Sequence, residues 1–176
     1  MATDIKKMMD GYLLAWNSHD VKKILSYFTD NCIYEEVAFG IVNHGKEGLN
    51  AYLTSMFVDF SNFKIVAKSV LGDHDWASIE WIISANHAHS NVPALPATGK
   101  PFSVNGAWIC QLRNGRISRK LVYWDMVAFL QQVGFMLAVD FKAVWLSSIA
   151  VKSAPPILPK SRQRIWGWLL VSQLML

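Results

Sequence analysis

The spacing of apolar residues changes period near Phe63, and that change constrains the fold more than any other feature of the chain. Before it, apolar side chains recur every three or four residues: Ile5, Met8, Met9, Tyr12, Leu13 and Trp16, with Lys6, Lys7 and Asp10 opposite. That is the stripe of an amphipathic helix. Asn17-Ser18-His19-Asp20 interrupts it, and Asp20 is suited to N-cap a second short helix carrying Val21, Ile24, Leu25 and Phe28. Cys32 to Phe39 reads as a strand ended by Gly40, and Lys46 to Phe60 returns to helical spacing. Beyond Phe63 the period is two. Strands are expected over Phe63 to Leu71, Trp76 to His89, Phe102 to Arg113 and Ile117 to Trp124, with Asn114-Gly115 a strong hairpin signal. Asp125 then starts a short helix, Met126 to Val133, that Gly134 ends.

Helices followed by long strands define an α+β class, with N-terminal helices laid on one face of a curved antiparallel sheet. Such packing leaves a conical pocket suited to a small molecule. The 176 residues, 52% hydrophobic and 17% charged, are enough for one domain with a real core and exclude disorder. Eight tryptophans and nine phenylalanines must be buried or must line a ligand site.

The net charge of +4 is unevenly placed. Residues 1–138 hold twelve Lys and Arg against twelve Asp and Glu, whereas 139–176 hold five basic residues against Asp140. A neutral domain without a basic stripe offers no phosphate footprint, which disfavours nucleic acid as a partner. Cys32 and Cys110 lie in apolar stretches and read as buried thiols in a reducing compartment. Met1 to Tyr12 lacks a signal-peptide core, and no apolar run reaches the roughly 18–20 residues of a membrane span. A cytoplasmic protein without a membrane span is expected.

Three places carry candidate chemistry. On the strand from Trp76, alternation puts Ala77, Ile79, Trp81, Ile83, Ala85, His87 and His89 on one face. A histidine at the end of an apolar face suits proton transfer, or else marks a solvated rim. Asp125 follows an aromatic stretch that would desolvate it and raise its pKa, making it a general acid or base. It is equally the residue that would N-cap the next helix. In Glu35-Glu36, alternation requires one carboxylate to face inward, where it is costly unless paired or functional. Tyr12 offers either a hydroxyl to the pocket or a plain core ring. His87-Ala88-His89 lacks a third ligand at a recognisable spacing, so no metal site is expected. Phosphate-binding glycine loops and nucleophile elbows are also missing from the sequence.

Taken in order, these stretches resemble the SnoaL-like polyketide cyclase and ester cyclase branch of the nuclear-transport-factor-2-like superfamily. The resemblance is carried by Trp81 with Ala85-Asn86-His87, where that branch usually has Gly-Thr-His. It is also carried by Pro96-Ala97-Thr98-Gly99-Lys100, Asn114-Gly115-Arg116-Ile117, Tyr123-Trp124-Asp125-Met126 and Gln132-Val133-Gly134. It runs from about Ile5 to Phe135 and implies a cone-shaped α+β barrel. It also implies acid–base catalysis without a metal or organic cofactor, and a homodimer formed through the sheet. Asp125 is then the leading acid and base of an intramolecular aldol closure on a polyketide-like ester, with His87 polarising the substrate. Ketosteroid isomerases, a neighbouring branch, offer a rival assignment in which Glu36 is the base and Tyr12 an oxyanion donor.

The expectation is therefore a cyclase or isomerase acting on a small apolar carbonyl compound. Asp125, His87 and Glu36 would be its acid–base groups. Tyr12, Trp16, Tyr34, Trp81, His89, Trp108 and Tyr123 would contact the substrate. The alternatives are a ligand-binding module in which Asp125 is only a cap, and a hydrolase or dehydratase using a held water. Residues 139–176, Pro-containing and basic and then apolar, read as an atypical tail that covers the domain or a partner.

Overall fold

The computed structural model describes residues 5–90 and 92–136, so the reading of the 139–176 tail lies outside the described residues. Helix α1, Ile5–Asn17, buries Met9, Tyr12, Leu13 and Trp16, the stripe expected from its spacing. Its last residue fastens it to the sheet: the Asn17 side chain accepts from the Ile65 amide at 2.8 Å and donates to the Ile65 carbonyl at 2.9 Å. Asp20 caps α2, Val21–Ser26, by accepting from the Lys23 amide. Strand β1, Phe28–Glu36, leads into a short strand β2, Ile41–His44, and then helix α3, Gly45–Asp59. Four long strands follow: β3, Phe60–Asp73; β4, Trp76–His87; β5, Pro101–Arg113; and β6, Arg116–Trp124. Helix α4, Met126–Val133, ends at Gly134, whose φ of +92° is the left-handed C-cap conformation glycine adopts freely.

The strands form one sheet in the order β2-β1-β6-β5-β4-β3. This is the expected architecture of helices on a curved sheet, with two particulars. The sheet does not close, since β2 and β3 are its edges. In addition, β1 runs parallel to β6, because α3 and the β3–β5 meander carry the chain across the sheet before β6 returns beside β1. The β2 strand itself is only four residues long, which is too short to show a period in the sequence.

Helices and the concave face of the sheet meet in an aromatic core. Trp108 of β5 lies 5.0 Å from Trp16 and 5.7 Å from Trp81, ring centre to ring centre. Gly106 allows the approach of Trp81: a Cβ there would collide with the indole ring and with the Tyr123 carbonyl oxygen. In β6 a bulge falls at Ser118, because Arg119 pairs with Gln111 and Ile117 with Leu112. The extra residue resets the alternation, so Ile117, Lys120 and Val122 are all buried.

Candidate active site

Between α3 and the concave sheet lies a cavity of about 490 Å³ of atom-free space, its mouth included. Its wall is almost entirely aromatic and aliphatic, from Trp16, Tyr34, Tyr52, Phe60, Trp81, Trp108 and Trp124 among others. Glu36 supplies the wall's carboxyl group.

Alternation along β1 explains its position. Cys32, Tyr34 and Glu36 point inward, whereas Glu35 points outward and meets the Arg119 guanidinium at 2.7 Å on the neighbouring strand. Glu36 is only 6% exposed. Its Oε2 accepts the Trp124 indole N–H at 3.0 Å, and its Oε1 accepts the Tyr34 hydroxyl at 3.3 Å. Tyr52 lines the same wall, and its hydroxyl acts on this carboxyl in the sense that lowers its pKa. Burial pushes the Glu36 carboxyl up to about 7, while the Trp124 N–H, the Lys120 charge and the two tyrosines oppose the rise. Tyr34 and Tyr52 are themselves pushed well above the usual tyrosine range by burial, so both stay neutral donors near pH 7.

A second chamber of about 740 Å³ adjoins the first. The two share Phe39, Tyr52, Met56 and Phe60 in their walls. His87 and His89 line the second chamber together with Asp59, Ser55 and Ser90. His87 is 2% exposed and its Nδ1 stands 3.4 Å from the Thr98 hydroxyl. Desolvation pulls its pKa below the usual histidine value, with the Asp59 charge opposing. His89 is exposed, and its Nδ1 meets Asp59 at 3.1 Å. The two histidines have separate partners, and among the described residues no three His, Cys, Asp or Glu side chains converge as a metal site would need.

Asp125 is elsewhere. It is exposed, it lines neither chamber, and its Oδ1 accepts the Ala128 amide at 2.8 Å as the N-cap of α4. The desolvation expected from its aromatic neighbours is missing because β6 ends at Trp124 and Asp125, the first residue beyond it, is left exposed as the cap of α4. Tyr123, 44% exposed, lies on the outer face of β6 and away from the cavity, for its inward neighbours are Val122 and Trp124. Tyr12 is fully buried behind the wall, where its hydroxyl accepts from Lys120 at 3.0 Å. Trp16, Tyr34, Trp81 and Trp108 do line the cavity.

Sequence reasoning passed over Lys120, Tyr52 and Trp124 as site residues. Helical spacing places Tyr52 on the same face of α3 as Met56, and alternation with Val122 pairs Trp124 with the inner face, so both carried a signal. Lys120 alternates with Val122 onto the same inner face, but it sits within a basic run, Arg116 to Lys120, that reads as solvated.

Helices packed on the concave side of a curved sheet, around an apolar cavity with one buried acid, define a protein of ketosteroid-isomerase-like fold. Within that class the chain belongs to the SnoaL-like polyketide cyclase family, whose profile matches residues 6–133. A cyclase from Calcarisporium arbuscula, AurE, is 26% identical over 81 residues, which are 46% of this chain and 60% of that one. The match thus spans about three fifths of that relative's length. Among solved structures, AclR from Streptomyces galilaeus superposes with a TM-score of 0.71 at 14% identity, covering 87% of this chain and 95% of its own. IdmH from Streptomyces antibioticus, a candidate polyketide cyclase, gives 0.63 at 19% identity, with 75% and 99% covered. A ketosteroid-isomerase-like protein from Catenulispora acidiphila, solved with trimethylamine, gives 0.63 at 18% identity, with 73% and 92% covered. At such identities the structures establish the fold. Among the described residues no helix is long and apolar enough to cross a membrane.

Proposed function

We propose that the protein is a cyclase or isomerase that moves a proton on a small apolar carbonyl compound, of polyketide-like character, and that Glu36 is its acid–base group. The observation that carries this reading is a buried carboxyl group held by two donors, the Trp124 indole and the Tyr34 hydroxyl, in an otherwise apolar cavity, where burial raises its pKa to about 7. A general base works best when its pKa lies near the ambient pH, and burial achieves that here.

The reaction this arrangement favours starts with a substrate C–H next to a carbonyl. Glu36 takes that proton, and the C–H electron pair moves onto the carbonyl oxygen as an enolate. The enolate carbon then attacks a second carbonyl, closing a ring, or is reprotonated at a different carbon. Glu36 returns the proton in either case. Tyr52 or Tyr34, neutral at working pH, donates a hydrogen bond to the oxygen that gains charge. His87, in the adjoining chamber, orients the far end of the substrate.

Two variants test the assignment. Exchange of the α-protons of a benzo-fused cyclic ketone such as 2-tetralone into deuterated buffer is followed by NMR. Glu36→Gln should slow the exchange about 10²–10⁴-fold, the usual contribution of a general base. Asp125→Asn should leave it within about twofold. The opposite pattern returns the role to Asp125. Binding of the ketone without exchange in the parent protein would favour a ligand-binding module.

A further inference from the structure

Lys120 is unusual in this core. Its side chain is fully enclosed, at 0% exposure, yet it donates to the neutral Tyr12 hydroxyl at 3.0 Å and not to a carboxylate. Aromatic faces make up much of its surroundings. Its Nζ lies 3.3 Å from the centre of the Trp108 ring, 4.6 Å from Trp16, 5.0 Å from Tyr12 and 5.1 Å from Tyr34. Ring faces attract a cation, but they do not replace its lost hydration. A further negative group is needed nearby, and the strand register provides one. Because β1 and β6 run parallel, Tyr34 stands beside Lys120 and Glu36 beside Val122. Lys120 and Glu36 are therefore diagonal neighbours on the inner face. Tyr34 connects them: its hydroxyl donates to Glu36 and its ring borders the ammonium.

We infer that Lys120 is a positioning residue for proton transfer at Glu36: its caged ammonium favours the carboxylate form of Glu36 and lends positive potential to the wall where an enolate gathers charge. The catalytic meaning of this inference rests on Glu36 being the acid–base group, but the coupling itself is measurable without substrate. Other titratable groups face the pair from every side: Cys32 and Tyr34 on β1, Tyr12 on α1, Tyr52 on α3 and Cys110 on β5. Burial raises the pKa of each, Cys110 to about 11, so they stay neutral near pH 7. Asp59, at the end of α3, acts on Tyr52 from farther out. Near neutrality it is Glu36 and Lys120 that change charge, both drawn toward about 7 by burial and each restrained by the other.

The test uses the full chain with carbon-13-labelled glutamate and lysine, titrated by NMR. In Lys120→Met, which keeps the length and apolar stem but removes the charge, the Glu36 midpoint should rise by about one pH unit. Coupling between two sites is reciprocal, so in Glu36→Gln the Lys120 midpoint should fall by a similar amount. The second variant decides the matter if Lys120→Met does not fold. Midpoints that stay put, or that move the other way, overturn the inference. If the midpoints shift as expected while Glu36→Gln retains full α-proton exchange, the electrostatic coupling stands. The role of Lys120 in proton transfer then falls together with the Glu36 assignment.

Discussion

Trp124 donates its indole N–H inward to Glu36 across 3.0 Å, while the next residue, Asp125, accepts the Ala128 amide outside the cavity at 2.8 Å. One peptide unit thus separates a residue that tunes the buried acid from one that starts a helix. The aromatic residue before Asp125 does not bury the aspartate. It steadies a different carboxylate, eighty-eight residues earlier in the chain.

Trp124→Phe keeps a large ring in the wall and removes one donor from Glu36. A hydrogen bond to the charged form lowers a carboxyl pKa, so its loss should raise the Glu36 midpoint above about 7, by roughly half to one unit. A carbon-13 carboxyl titration reads this directly. A lower midpoint would contradict the geometry at Oε2.

The cap at Asp125 predicts a graded effect on stability. Asp125→Ala removes the bond to Ala128 and should cost about 1 kcal/mol, whereas Asn, an equally good N-cap, should cost a few tenths. Urea unfolding of both variants measures the difference.

The buried pair makes stability depend on pH in opposite senses on either side of neutrality. Glu36 has a folded pKa raised from 4.5 to about 7, so its contribution is fully present below about 4.5 and is lost as pH rises through 7. Lys120 has a folded pKa lowered from 10.5 to about 7, so above 7 the unfolded chain binds more protons and stability rises again toward 10.5. These two groups alone would place a minimum of stability near neutral pH. Chemical unfolding at pH 5, 7 and 9 tests it: Glu36→Gln should flatten the fall between 5 and 7, and Lys120→Met the rise between 7 and 9.

Gly106→Ala should distort the cavity wall. The added Cβ meets the Trp81 ring and the Tyr123 carbonyl oxygen, neither of which yields easily in the middle of a sheet. Overpacking of this kind costs about 1–3 kcal/mol. Thermal unfolding, with the near-ultraviolet signal of the tryptophans as a second readout, measures both the cost and the movement of Trp81.

Local chemistry was legible along most of the chain. Asp20 and Asp125 announce helix starts by being capping residues before apolar periods, and the structure has both caps. Asn114-Gly115 announces a hairpin, and both residues have the positive φ that such a turn requires, 52° and 71°. Alternation alone required one glutamate of Glu35-Glu36 to be buried, and it oriented His87 with Trp81. The ends of β1 and β3 were harder to place. The structure starts them at Phe28 and Phe60, in stretches whose apolar residues also fit a helical period.

What the sequence by itself determined is therefore the order of helices and strands and, within a regular strand, which residues share a face. Those properties depend on neighbours a few positions away. Which acid enters the cavity, which strands lie side by side, and that rings from three other elements close around Lys120 were decided only by the tertiary structure. The parallel pairing of β1 with β6 joins segments nearly ninety residues apart, and the Ser118 bulge that brings Ile117 onto the same face as Lys120 exists only in relation to the partner strand β5. A carboxylate's solvation depends on what closes around it, and for Asp125 and Glu36 that is set by residues distant in the chain.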